Sequence, residues 1–104
     1  MANVGGIVLA KVTAATSRTY ANVTMTAANT EYSYALPANT KYYILQNRGN
    51  GKVQIAANTG ETNTDFFTVW PGQQKDSALL NSTSFTLYFE CSKAGDVLEI
   101  ESWQ

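Results

Sequence analysis

The sequence predicts an all-β domain: a single antiparallel β-sandwich, jelly-roll or Ig-like, with about eight short strands. Three observations predict it. Short runs rich in Val, Ile, Thr, Tyr and Phe recur along the chain, and these residue types suit a half-buried pleated surface. Turn chemistry separates the runs at intervals of roughly 8–15 residues, as in sandwiches and barrels. No segment carries a sustained helical period; the best window, Gln73–Leu80, amounts to one turn at most.

The expected strands are Ile7–Ala14, Tyr20–Thr26, Glu31–Leu36, Lys41–Asn47, Lys52–Ala57, Asp65–Trp70, Ser84–Ser92 and Val97–Trp103. Alternation is clearest from Phe85 to Cys91. Phe85, Leu87, Phe89 and Cys91 fall on one face; Thr86, Tyr88 and Glu90 fall on the other. Leu98-Glu99-Ile100-Glu101 repeats the pattern with both carboxylates outward. Leu36-Pro37-Ala38-Asn39 ends one strand before the next begins. Asn50-Gly51 reads as the positive-φ pair of a tight hairpin. Pro71-Gly72 fits a turn with Pro first and Gly second, and Lys93-Ala94-Gly95-Asp96 fits a short hairpin between the last two strands.

At 104 residues the chain has room for one domain, residues 1–104, with 1–6 as a candidate N-terminal arm. Only 14% of residues are charged, against about 25% in typical domains, and neutral Thr, Asn and Ser take their place. Residues 1–52 carry Lys11, Arg18, Lys41, Arg48 and Lys52 against Glu31 alone. Residues 53–104 carry Lys75 and Lys93 against seven carboxylates. If the halves stay apart in space, they form opposite patches that neighbouring copies can match; if they interleave, the asymmetry vanishes. Met1–Gly6 is uncharged in its side chains and the apolar run that follows, Ile7–Ala10, is short, so neither a secretory leader nor a membrane helix is expected.

The chain has no histidine, which removes Ser-His-Asp triads, Cys-His pairs and the commonest zinc sites. No glycine loop has the spacing to cradle phosphate, and no basic stripe suits nucleic acid. Glu99 and Glu101 share a face and read as solvated carboxylates, not an acid–base pair. Asn58–Asp65 is oxygen-rich but lacks the spacing of a calcium loop, so it reads as a polar loop. Cys91 alone makes no internal disulfide and reads as a buried small apolar side chain. No enzyme activity, cofactor or metal is expected.

Binding is the remaining role, and the aromatics carry it. Tyr32, Tyr34, Tyr42, Tyr88 and Trp103 are the interface candidates. Tyr32 and Tyr34 share one face. Tyr42 and Tyr43 point to opposite faces, so one leaves the core, and Tyr88 alternates away from Leu87 and Phe89. Exposed Tyr and Trp are frequent protein-interface anchors and also stack on sugars.

Leu36-Pro37-Ala38-Asn39-Thr40 followed by Tyr43-Ile44-Leu45-Gln46-Asn47, then Trp70-Pro71-Gly72-Gln73, Thr86-Leu87-Tyr88-Phe89 and Gly95–Trp103, resembles small β-sandwich proteins encoded among bacteriophage structural genes. The resemblance spans residues 36–103. It implies a virion protein on the capsid surface, made in the host cytoplasm: a capsid decoration (cement) or head-fiber component that contacts the major capsid protein or other virion proteins. It also implies a symmetric homo-oligomer, a trimer by preference. A carbohydrate-binding, lectin-like module is the alternative, with Tyr32, Tyr34 and Tyr88 as its stacking residues.

Overall fold

A computed structural model describes residues 17–80 and 83–104. They form eight strands: β1 (Arg18–Met25), β2 (Tyr32–Ala35), β3 (Tyr42–Asn47), β4 (Val53–Ala56), β5 (Phe67–Val69), β6 (Gln74–Asp76), β7 (Thr86–Cys91) and β8 (Asp96–Trp103). Sheet A has the order β1-β8-β3-β6 and sheet B the order β2-β7-β4-β5. All neighbours are antiparallel. The all-β sandwich is therefore present, and of the two expected types its strand order is that of the jelly roll. The expected strand Ile7–Ala14 and the arm 1–6 lie outside the described residues.

Alternation places the core between the sheets. Leu87, Phe89 and Cys91 of β7 are buried, as are Leu98 and Ile100 of β8, Leu45 of β3 and Val53 and Ile55 of β4. Ala21, Val23 and Met25 of β1 close one side of the same cluster. Phe89, Met25, Leu45 and Leu98 are each 0% exposed. Glu90 breaks the pattern: on the outward side of β7, it is buried and not solvated as its alternation implies. The register pairing Tyr32 with Phe89 sets Glu31 beside it. Glu31 in turn accepts hydrogen bonds from Gly60 N–H and the Thr59 and Thr62 hydroxyls, which folds the 58–62 turn back over this part of sheet B.

Strand pairs nest as β4–β5, β3–β6, β2–β7 and β1–β8, so the chain is one long hairpin rolled into two sheets. Among the described strands only β4 and β5 are consecutive partners; every other connection between them crosses from one sheet to the other. This overturns two expected hairpins. Residues 48–52 and 92–95 are both sheet crossings. Asn50 and Gly51 do not adopt positive φ; among the described residues the non-glycine residues that do are Asn29 and Asn39. The glycines serve close approach instead. A Cβ on Gly49 would lie 2.2 Å from the Asp96 carboxyl carbon, and one on Gly51 2.6 Å from the Ser92 hydroxyl. Asp96 ties the two crossings together: its Oδ2 accepts from Asn50 N–H at 2.9 Å and Gly51 N–H at 2.7 Å. The Pro71-Gly72 turn does form, with Gly72 at φ 77° and Gln73 N–H bonded back to the Trp70 carbonyl at 2.9 Å.

Gln73–Leu80 contains strand β6, not a helical turn. Its three residues, Gln74, Lys75 and Asp76, hold no apolar side chain to show a period, and tertiary pairing with β3 decides the conformation. The charge asymmetry also disperses. Sheet A alternates strands from the two halves of the chain, so β1 and β3 flank the acidic β8.

Candidate functional site

The outer face of sheet A gathers most of the polar and aromatic side chains that alternation sends outward. Register sets them in transverse rows. Arg18, Trp103 and Tyr42 form the first row and Tyr20, Glu101, Ile44 and Asp76 the second. Asn22, Glu99, Gln46 and Gln74 form the third. The second and third rows enclose a concavity of about 450 Å³.

The first row is prebuilt. Tyr42 and Trp103 stack with ring centroids 5.8 Å apart and planes 9° from parallel. The Arg18 guanidinium lies 5.1 Å from the ring centroids of both Tyr20 and Trp103. Trp103 Nε1–H donates to Glu101 Oε1 at 2.8 Å. Burial pushes the Tyr42 hydroxyl above its ordinary pKa, and the charges of Glu101 and Asp76 push the same way against Arg18. Glu99 is paired with Arg48 at 3.4 Å. The two carboxylates therefore face outward as the sequence predicts, but on the central strand β8 and each with a partner.

The structure does not bring the five interface candidates together. Trp103 and Tyr42 share the first row on sheet A, and Tyr42 is only 5% exposed beneath its stacked neighbour. Tyr32 and Tyr34 pair with the inward residues Phe89 and Leu87 and pack against the core. The Tyr32 hydroxyl is further held by Thr26 Oγ1 and Ala27 N–H, both at 2.9 Å. Hydrogen bonding from Thr26 lowers the Tyr32 pKa. Tyr88 does alternate outward, on sheet B, where it is half-buried. Tyr32, Tyr34 and Tyr88 thus form no common stacking platform.

Sequence reasoning missed Tyr20, which is 62% exposed at the rim of the concavity. The signal was present in the β1 alternation: Ala21, Val23 and Met25 turn inward, so Tyr20 and Asn22 turn out. It also missed a second feature, the side of the sandwich formed by β5 and β6. Both strands are three residues long and edge their sheets among the described residues. Phe66, Phe67, Trp70 and Leu79 lie along or just beyond them with 42–57% of their surface exposed. Phe67 faces the gap between the sheets, where Lys75 Nζ sits 4.7 Å from its ring centroid. Behind them an apolar slot of about 170 Å³ reaches Tyr43, Ile55 and Leu87.

Cys91 is buried, and its thiol donates to Asp96 Oδ2 at 3.3 Å. Burial and the neighbouring carboxylate raise its pKa, which disfavours the thiolate.

No protein-family model matches this sequence, and no curated protein matches it. The fold is similar to a de novo designed double-stranded β-helix solved by NMR. The TM-score is 0.53 at 13% identity, over 86% of this chain and all (100%) of that one. The CBM36-1 domain of a multidomain xylanase from the hindgut metagenome of Trinervitermes trinervoides is a more distant neighbour. Its TM-score is 0.42 at 13% identity, over 83% of this chain and 87% of that domain. The first likeness identifies the class of fold, a rolled two-sheet β-sandwich, and extends no further.

Proposed function

We propose that this chain is a non-catalytic structural protein of a bacteriophage particle. It is made in the host cytoplasm and sits on the virion surface as a decoration or head-fiber component. The observation that carries the reading is the β5–β6 side. Four large apolar side chains, each about half exposed, present on the order of 400 Å² of apolar surface. That is about the size of the largest apolar patch on an ordinary monomer, which is often functional. It is also about half of the roughly 800 Å² per partner of a stable interface. The short strands β5 and β6 edge their sheets among the described residues, and sheet edges are often closed in assemblies by a neighbour.

The neighbour on this face is a second copy of the chain. Packing Phe67 and Trp70 on an adjacent subunit, repeated around an axis, closes a ring such as the trimer the sequence resemblance implies. The opposite surfaces are then left for the major capsid protein.

Light scattering on a sizing column tests this directly. The expected mass is a small multiple of 11.3 kDa. Phe67→Ser with Trp70→Ser is expected to give a folded monomer by circular dichroism. A wild-type protein that stays monomeric at high concentration and fails to co-sediment with capsids would overturn the proposal.

A further inference from the structure

The concavity on sheet A carries a second binding site, and we propose that its ligand is a neutral glycan chain. This goes beyond the assembly reading and does not depend on it. Three amide side chains, Asn22, Gln46 and Gln74, line the concavity. None of them hydrogen-bonds to another described residue, so each offers both a donor and an acceptor to a ligand. Between them on β8 lie the Glu99 and Glu101 carboxylates, which keep free lone pairs after their contacts with Arg48 and Trp103. Tyr20 stands at the rim with one ring face covered by Arg18.

The chemistry of this set selects the ligand class. Hydroxyl groups donate to carboxylates and exchange hydrogen bonds with amides in either direction. The C–H face of a sugar ring packs on the open face of Tyr20. An anionic ligand meets Glu99, Glu101 and Asp76. A cationic ligand meets the Arg18 and Arg48 guanidiniums already held against the aromatic rings and Glu99. What is unsatisfied is the neutral, bidirectional hydrogen-bonding capacity. Four strands span roughly 14 Å at about 4.8 Å between neighbours, so the site suits a short stretch of a chain and not a single sugar. The 450 Å³ volume lies within the range of small-ligand sites, about 300–1,000 Å³.

Isothermal titration calorimetry of the full chain against neutral oligosaccharides tests the inference. The panel comprises gluco-, xylo-, manno- and N-acetylchito-oligosaccharides, with an oligogalacturonate and an oligolysine as charged controls. Binding to at least one neutral oligosaccharide is expected. Tyr20→Ala and Gln46→Ala are each expected to weaken it about tenfold or more, with unchanged thermal midpoints. Phe67→Ser with Trp70→Ser is expected to bind the sugar as the wild type does, which separates this site from the assembly surface. No neutral oligosaccharide bound at millimolar concentration, binding confined to a charged control, or affinity untouched by Tyr20→Ala and Gln46→Ala each overturns the inference.

Discussion

Asp96→Ala is the perturbation that most directly tests the architecture. Asp96 opens β8, and its Oδ2 receives Asn50 N–H, Gly51 N–H and the Cys91 thiol at 2.9, 2.7 and 3.3 Å. The carboxylate thus clamps the β3–β4 crossing to the β7–β8 crossing. Hydrogen bonds to a charged group contribute about 1.5–3 kcal/mol each when desolvated. Asp96 is only partly buried, so the two amide bonds are discounted toward the lower end, giving a loss of roughly 2–3 kcal/mol. For a domain of this size that lowers the melting midpoint by roughly 10–20 °C. Urea denaturation and thermal melts at neutral pH measure it. The pH dependence gives a second readout. Burial raises the Asp96 pKa, but the bonds from Gly51, Cys91 and Asn50 and the Lys93 charge outweigh it, and the net shift is downward. The contribution is therefore fully present above the ordinary carboxylate pKa of about 4 and is lost as pH falls through the lower folded value. Asp96→Asn is expected to flatten that acid limb. A cost for Asp96→Ala within about 0.5 kcal/mol of zero, the scatter of ordinary surface changes, would refute the clamp.

Other outcomes follow from the same geometry. Phe89→Ala empties the largest fully buried site and is expected to cost about 3–5 kcal/mol, read by urea denaturation. Cys91 is expected to react with a thiol reagent only on unfolding, so its modification rate in rising urea tracks the unfolding curve. Glu31→Ala releases Thr59, Gly60 and Thr62, and limited proteolysis is expected to cut within 57–66 faster than in the wild type. The Glu31 pKa is lowered chiefly by the Gly60 N–H, so the wild-type loop is expected to become protease-sensitive as pH falls through a folded value below the ordinary glutamate one.

Where strands are long and alternate, the sequence and the structure agree. Leu87, Phe89, Cys91, Leu98 and Ile100 face the core because a period of two admits no other arrangement once one face is buried. What stayed illegible was set at long range. Gln74-Lys75-Asp76 is a strand because β3 pairs with it, and nothing in three polar residues announces that. Asn50-Gly51 imitates a hairpin because the glycines at 49 and 51 leave room for Asp96 and Ser92, residues more than forty positions away. Tyr32 and Tyr34 were legible as sharing a face, but which face meets the core depends on their partners Phe89 and Leu87. Tyr20 could be read from its inward neighbours, yet its meeting with Gln46 and Glu101 rests on β8 lying between β1 and β3.

The nested pairing also fixes an order of events in time. Among the described strands β4 and β5 pair across the loop that joins them; closing β3 on β6, then β2 on β7, then β1 on β8 spans progressively more chain. Loop-closure entropy makes each outer pair depend on the inner one already holding its ends near. Folding is therefore expected to proceed from the middle of the sequence outward, and slowly for a domain of this length because so few contacts are local. Destabilising changes near the β4–β5 tip slow folding. Equal changes in β1 or β8, the pair that closes the longest stretch of chain, are expected to act instead by speeding unfolding.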